Sequence, residues 1–183
     1  LVLFATQGFA GGVLDDRLTT RAHATALPDG SLPPYHPADA RAPEPAAADL
    51  HRALTERWPG ERHPVLLSDR VDLFVFYPYH GFLQWNAHYA HPASRFAQRV
   101  DWLRRLAASP DPAAFAAALG RHPYGPLDAF VLRDEGEALT VSFDEDNFPN
   151  GTRRTTLRFP RTLFDPTAFD VVDLGEVVVA VRH

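Results

Sequence analysis

Three turn signals cut the last part of this chain into paired extended segments, and they constrain its fold more than any other feature. Asp134-Glu135-Gly136-Glu137 separates the apolar runs Asp128–Arg133 and Leu139–Phe143 and reads as a hairpin turn. Pro149-Asn150-Gly151 precedes Thr155–Phe159, and Leu174-Gly175 separates Phe169–Val172 from Val177–Val181. A chain that ends in consecutive hairpins builds antiparallel sheet. The earlier half is different, because there helical patterns alternate with short strands. Pro45 opens a helix carrying Leu50, Leu54 and Trp58, which Pro59-Gly60 terminates. Val65-Leu66-Leu67-Ser68 is a short strand, and Val71–Tyr77 reads as a second one, apolar enough to be covered on both faces. His91-Pro92 opens a helix to about Ala108, with Phe96, Val100, Leu103 and Ala107 along one side. Asp111-Pro112 caps another that stops at Gly120. The expected fold is α/β in the α+β sense: one domain, a mixed β-sheet with flanking helices and C-terminal hairpins.

The chain is 183 residues long and 45% hydrophobic, enough for one good core. Its net charge of −5 argues against nucleic acid as a partner, since no basic excess exists to neutralise phosphates. It has no cysteine, so disulfides and thiolate metal sites are excluded. All 18 basic residues are arginine, which excludes a Walker-type phosphate loop and lysine Schiff-base chemistry. No apolar run reaches the roughly 18 residues of a membrane span.

Several motifs invite chemistry and meet a simpler explanation. Leu1–Gly12 sets an apolar run before Gly8, Gly11 and Gly12, but this is not the dinucleotide pattern, and a structural turn suffices. His80, His88 and His91 have imidazoles at short spacing, yet loop or capping roles explain them, and His91 sits well as a helix-capping neighbour of Pro92. Asp144-Glu145-Asp146-Asn147 lacks the glycine and the bidentate glutamate of a calcium loop; it reads as a solvated acidic loop, with a pair of acid–base carboxylates as the alternative. Asn150-Gly151-Thr152 fits a glycosylation acceptor, but an Asn-Gly turn explains it. No serine has the flanking glycines of a nucleophile elbow. No metal ligand set and no cofactor are expected.

The aromatic stretch DLFVFYPYHGFLQWNAHYAHP, Asp72–Pro92, remains. Alternation would place Phe74 and Phe76 opposite Val75 and Tyr77, with Pro78 ending the strand and Tyr79–Tyr89 following as a loop. Flat apolar faces with polar edges suit sugar rings. Tyr79, His80, Trp85, His88 and Tyr89 are therefore the candidate carbohydrate-binding residues, and a loop folded over the sheet is the alternative.

Phe76–Phe82 (FYPYHGF), His88–Pro92 (HYAHP), Asp144–Asn150 (DEDNFPN) and Asp173–His183 (DLGEVVVAVRH) resemble the C-terminal domain of actinobacterial membrane arabinofuranosyltransferases. The resemblance runs from about Val65 to His183. It implies a polypeptide whose membrane-embedded part transfers arabinofuranose from a lipid-linked donor, decaprenyl-phosphoryl-arabinose, to cell-wall galactan at the outer face of the plasma membrane. The catalytic aspartates of such enzymes belong to the membrane part, so no catalytic residue is placed on this sequence. The resemblance further implies an irregular segment over residues 1–44, descending from the last membrane helix, and an extracytoplasmic domain over 45–183. That domain is expected to be non-catalytic by itself and to assist the galactan acceptor, with a purely structural module as the second reading. The third is a free-standing α/β enzyme for a phosphorylated metabolite.

Overall fold

The computed structural model describes residues 45–146 and 151–183. The expectations placed on Leu1–Gly12, on residues 1–44 and on Asn150 lie outside them.

A seven-stranded mixed sheet organises these residues. The elements run α1 (Ala47–Thr55), β1 (Val65–Ser68), α2 (Val71–Phe76), β2 (His80–Gly81), α3 (Phe96–Ala107), α4 (Pro112–Leu119), β3 (Ala129–Asp134), β4 (Ala138–Asp146), β5 (Thr152–Pro160), β6 (Phe169–Asp173) and β7 (Val177–Arg182). β1 lies parallel to both β2 and β3. The later strands pair antiparallel, β3 with β4, β4 with β5, β6 with β7 and β7 with β3. The expected hairpins are present. Their glycines explain the turns, since Gly136 and Gly175 take φ of 78° and 85°, where a side chain would be strained.

β7 runs along the length of β3, so β1 and β4 share the opposite edge of that strand. β1 takes Ala129–Val131, and β4 takes only Arg133 and Asp134. Asp69 fills the fork where they separate, its Oδ2 accepting from Arg133 Nε and from the Ser142 amide at 3.4 Å each.

Burial follows the two-residue period of the strands. Phe130, Leu132, Val178 and Ala180 face one side and pack with Val100, Leu103, Leu106, Phe115 and Leu119 of α3 and α4. Ala129, Val131, Val177, Val179 and Val181 face the other and pack with Leu50, Ala53 and Leu54 of α1. β5 alternates instead: Leu157 and Phe159 are buried while Arg158 and Pro160 are exposed. The helix ends are set by the residues that announced them. Asp111 Oδ1 accepts from the Ala114 amide at 2.7 Å, and His91 Nδ1 accepts from the Ala93 amide at 3.1 Å. Pro92–Ser94 forms a separate 3-10 turn before α3, so the expected single helix from His91 is divided at Arg95.

Two further expectations are corrected. Val71–Tyr77 is not a strand, because Val71–Phe76 forms the helix α2. The buried side carries Leu73, with Phe74 and Tyr77 packed beside it, which is helical spacing; Val71, Val75 and Phe76 face outward. The reason lies in the sheet. The slot beside β1 is taken by His80–Gly81, and two parallel strands cannot be joined by a tight hairpin, so the residues between them must cross over. Arg70 supports the crossover by clasping Asp72 (2.6 Å) and the Pro45 carbonyl (3.0 Å). The second correction concerns Asp144-Glu145-Asp146, which is not a solvated loop. These residues are the end of β4, in register with Arg154, Arg153 and Thr152 of β5.

Candidate functional site

The loop after β2 is fastened to the sheet by its backbone. The Phe82 amide donates to the Leu66 carbonyl at 2.7 Å, and the Asp144 amide donates to the Trp85 carbonyl at 2.8 Å. Asn86, nearly buried, forms a bridge with Asp144, and its Oδ1 accepts from the His88 amide at 2.8 Å, which starts the 3-10 turn Ala87–Tyr89. These bonds hold three of the predicted side chains as one group. Trp85 and Tyr89 have ring centroids 5.5 Å apart at 36°, and His88 stands edge-on to Tyr89 at 5.4 Å. Trp85 is 39% exposed and Tyr89 63% exposed. Large aromatics held by ordered backbone and left facing solvent offer stacking surface at low conformational cost.

Tyr79 and His80 stand apart from that group, across a cleft of about 290 Å³ that Trp85 also lines. Ser68, Phe74 and Gln84 complete its wall. His80 is exposed, but Tyr79 is only 7% exposed and its hydroxyl is engaged with His51 Nδ1 at 2.8 Å. His51 in turn stacks on Tyr77 at 3.9 Å. Burial, together with the neighbouring Tyr77, pushes the Tyr79 phenol up to about 12, so it stays neutral at any physiological pH. Tyr79 thus lines the cleft while its hydroxyl is kept for the α1 contact.

The segment Gly81–Gln84 is a partition. Its other side borders a second cleft of about 320 Å³, lined by Tyr89, His91, Ser94, Phe96 and Arg99. Gly81 suits a thin wall, since a Cβ there would meet the Leu83 carbonyl at 3.3 Å. His80, His88 and His91 do not converge: they sit on β2, in the 3-10 turn and at a cap, respectively. Among the described residues no group of three or more histidine, aspartate or glutamate side chains could hold a metal.

At the end of β4 the acids serve the sheet. Glu145 accepts from Arg104 (2.6 Å), Arg153 (3.3 Å) and Thr155, while Asp144 accepts from Arg154 at 3.2 Å. Burial pushes the Glu145 carboxyl up, but the Thr155 hydrogen bond and the charges of Arg104 and Arg153 outweigh it and hold the group below its ordinary range. A carboxylate so held is a poor general acid at neutral pH.

Sequence reasoning set Ser68 and Ser94 aside for want of a nucleophile elbow and did not reach Arg99. Arg99 had a signal: it follows Phe96 by three residues and precedes Leu103 by four, which puts an arginine on the apolar side of α3.

The fold and these clefts define a mixed-sheet α+β domain with an aromatic ledge at one end of its sheet. Its sequence matches the protein-family model described as "Arabinofuranosyltransferase A C terminal" over residues 20–182, and the chain belongs to that family. It is 31% identical over 121 residues to the galactan 5-O-arabinofuranosyltransferase of Mycolicibacterium smegmatis, covering 64% of this chain and 19% of that protein. The enzyme of the same name from Mycobacterium leprae is 34% identical over 125 residues, again 64% of this chain and 19% of the relative. That from Corynebacterium glutamicum is 30% identical over 131 residues, 67% and 19% respectively. The chain therefore spans only a small part of the length of the relatives it matches. No helix among the described residues is long and apolar enough to cross a membrane.

Proposed function

We propose that this chain is the C-terminal domain of a galactan arabinofuranosyltransferase and that its aromatic ledge holds the galactan acceptor. The membrane-embedded remainder of the same polypeptide takes the lipid-linked arabinose donor and performs the transfer on the extracytoplasmic face. The unit 45–183 positions the acceptor without contributing a catalytic residue. The observation that carries this reading is the exposed Trp85–Tyr89 pair, 5.5 Å between ring centroids, on backbone tied to β4. The C–H face of a sugar ring stacks on such a surface, while the His88 imidazole and the Gln84 amide are available to hydroxyls. Single stacked sugars bind weakly, and a polymer gains through adjacent contacts.

Titration of the chain with short galactofuranan oligosaccharides tests this. Expected are saturable changes in tryptophan fluorescence and NMR shifts centred on Trp85, His88 and Tyr89, weakened by Trp85→Ala and Tyr89→Ala with the fold intact. Absence of binding at millimolar sugar would overturn the acceptor role.

A second reading rests on α2, whose Val75 and Phe76 are 68% and 71% exposed. An apolar pair so open is the kind of surface that packs against another part of a larger protein, and in that case the domain is an interaction module.

A further inference from the structure

The second cleft contains an arginine that pairs with no acid among the described residues. Arg99 Nε donates to the Ser94 carbonyl at 2.8 Å and Nη1 to the Phe82 carbonyl at 3.1 Å. Its guanidinium lies 4.7 Å from the Phe82 ring centroid and 5.6 Å from that of Tyr124. These contacts lock the side chain in one orientation. Arg104, on the same helix, shows the usual alternative, pairing with Asp101 at 2.9 Å and Glu145 at 2.6 Å. No carboxylate pairs with Arg99 among the described residues, and Nη2 has no acceptor there. Partial burial lowers the guanidinium's proton affinity; the Tyr124 phenol opposes that and Arg95 adds to it.

Ser94 stands beside it in the same cleft, with a buried hydroxyl that has no hydrogen-bond partner among the described residues. Buried hydroxyls are nearly always satisfied, so an uncommitted one at a cleft wall is a donor available to a partner entering the cleft. Arg95, between Ser94 and α3, takes φ of 56°, a strained conformation for a residue with a side chain. That turn brings the Ser94 and Arg99 side chains to one cleft.

We propose that this cleft is an oxyanion site, in which Arg99 and the Ser94 hydroxyl receive a phosphate or carboxylate group of a ligand whose body lies along Tyr89. A locked guanidinium with open N–H groups matches a tetrahedral or planar oxyanion, and a hydroxyl donor at its side completes the cradle. The site shares Tyr89 with the stacking ledge but makes no use of Trp85. It would stand whether or not Trp85 binds sugar.

The test is NMR titration of the chain with inorganic phosphate and, separately, with acetate at constant ionic strength, following the Arg99 Nε–H and the Ser94 and Phe96 amides. Saturable shifts with phosphate assign the phosphate class, and with acetate alone the carboxylate class. Arg99→Gln is expected to weaken binding by about tenfold or more and Ser94→Ala by about threefold, whereas Arg105→Gln, exposed further along α3 and outside the cleft, leaves binding unchanged. If Arg99→Gln fails to fold, Arg99→Lys and Ser94→Ala decide the matter. The proposal is overturned if neither anion gives saturable shifts, or if both of those variants bind like the parent.

Discussion

The amide of Asp144 donates to the carbonyl of Trp85 at 2.8 Å, so the exposed tryptophan of the loop is mounted on the far end of β4. Asp144 accepts from Arg154, and Glu145 from Arg153 and Thr155, so the same stretch ties β4 to β5. Ledge and sheet end are one mechanical unit.

Asn86 is the clip of that unit. Asn86→Ala removes the acceptor for the His88 amide and is expected to cost about 1 kcal/mol. Urea unfolding should register the loss. Hydrogen exchange of the His88 amide should accelerate by more than that of the Val100 amide in α3. Equal acceleration at both would show that Asn86 has no local role.

Phe115 is the hub of the aromatic core, fully buried, with ring centroids 5.2 Å from Phe164, 5.7 Å from Phe169 and 5.9 Å from Phe130. Phe115→Ala should destabilise by about 3–5 kcal/mol, because the surrounding rings cannot collapse into the space. Chemical denaturation measures this directly. A loss below 1 kcal/mol would mean that α4 packs differently.

His122 packs against Trp102 with ring centroids 4.1 Å apart, and its protonated form is disfavoured by burial and then by the charges of Arg99 and Arg182. The unfolded chain therefore binds this proton more readily than the folded one. Stability from His122 is complete above the ordinary imidazole pKa of about 6.5 and declines as pH falls through the lower folded value. Thermal melts from pH 7.5 to 5 should show a decline that is smaller in His122→Gln. A decline of unchanged size in the variant would assign it to other groups. Glu145, held low, adds its own loss only at more acidic pH.

Val75 and Phe76 make few demands on the isolated fold. Val75→Ser with Phe76→Ser should leave stability within about 0.5 kcal/mol of the parent. Introduced into a full-length enzyme, the same pair separates the two functional readings. Lost activity with sugar binding by the domain retained would favour the interaction surface, and unchanged activity would remove it.

Much of this architecture was legible because it depends on neighbours in the chain. The Asp111 and His91 caps, the glycine turns and the segments that became β1, β3, β5, β6 and β7 each arise from local chemistry. Trp85, His88 and Tyr89 could be picked out as a group for the same reason: five residues hold all three, and one short turn brings them together.

What the chain could not announce was decided by vacancies in the sheet. Val71–Tyr77 has the composition of a strand and became helix, because His80–Gly81 occupies the edge of β1 and the intervening residues must cross over. Asp144–Asp146 carries the charge of a loop and became strand, because β5 presents arginines opposite it. Tyr79 was expected at the surface and is buried, since α1 brings His51 to its hydroxyl from 28 positions away. Arg99 and Ser94 acquire meaning only beside Phe82, which the loop returns to α3. Local propensities differ by about 1 kcal/mol or less per residue, and filling an open sheet edge or burying a ring outweighs them. The sequence by itself therefore determined the caps, turns and most strands, and the tertiary structure decided which side chains meet in the clefts.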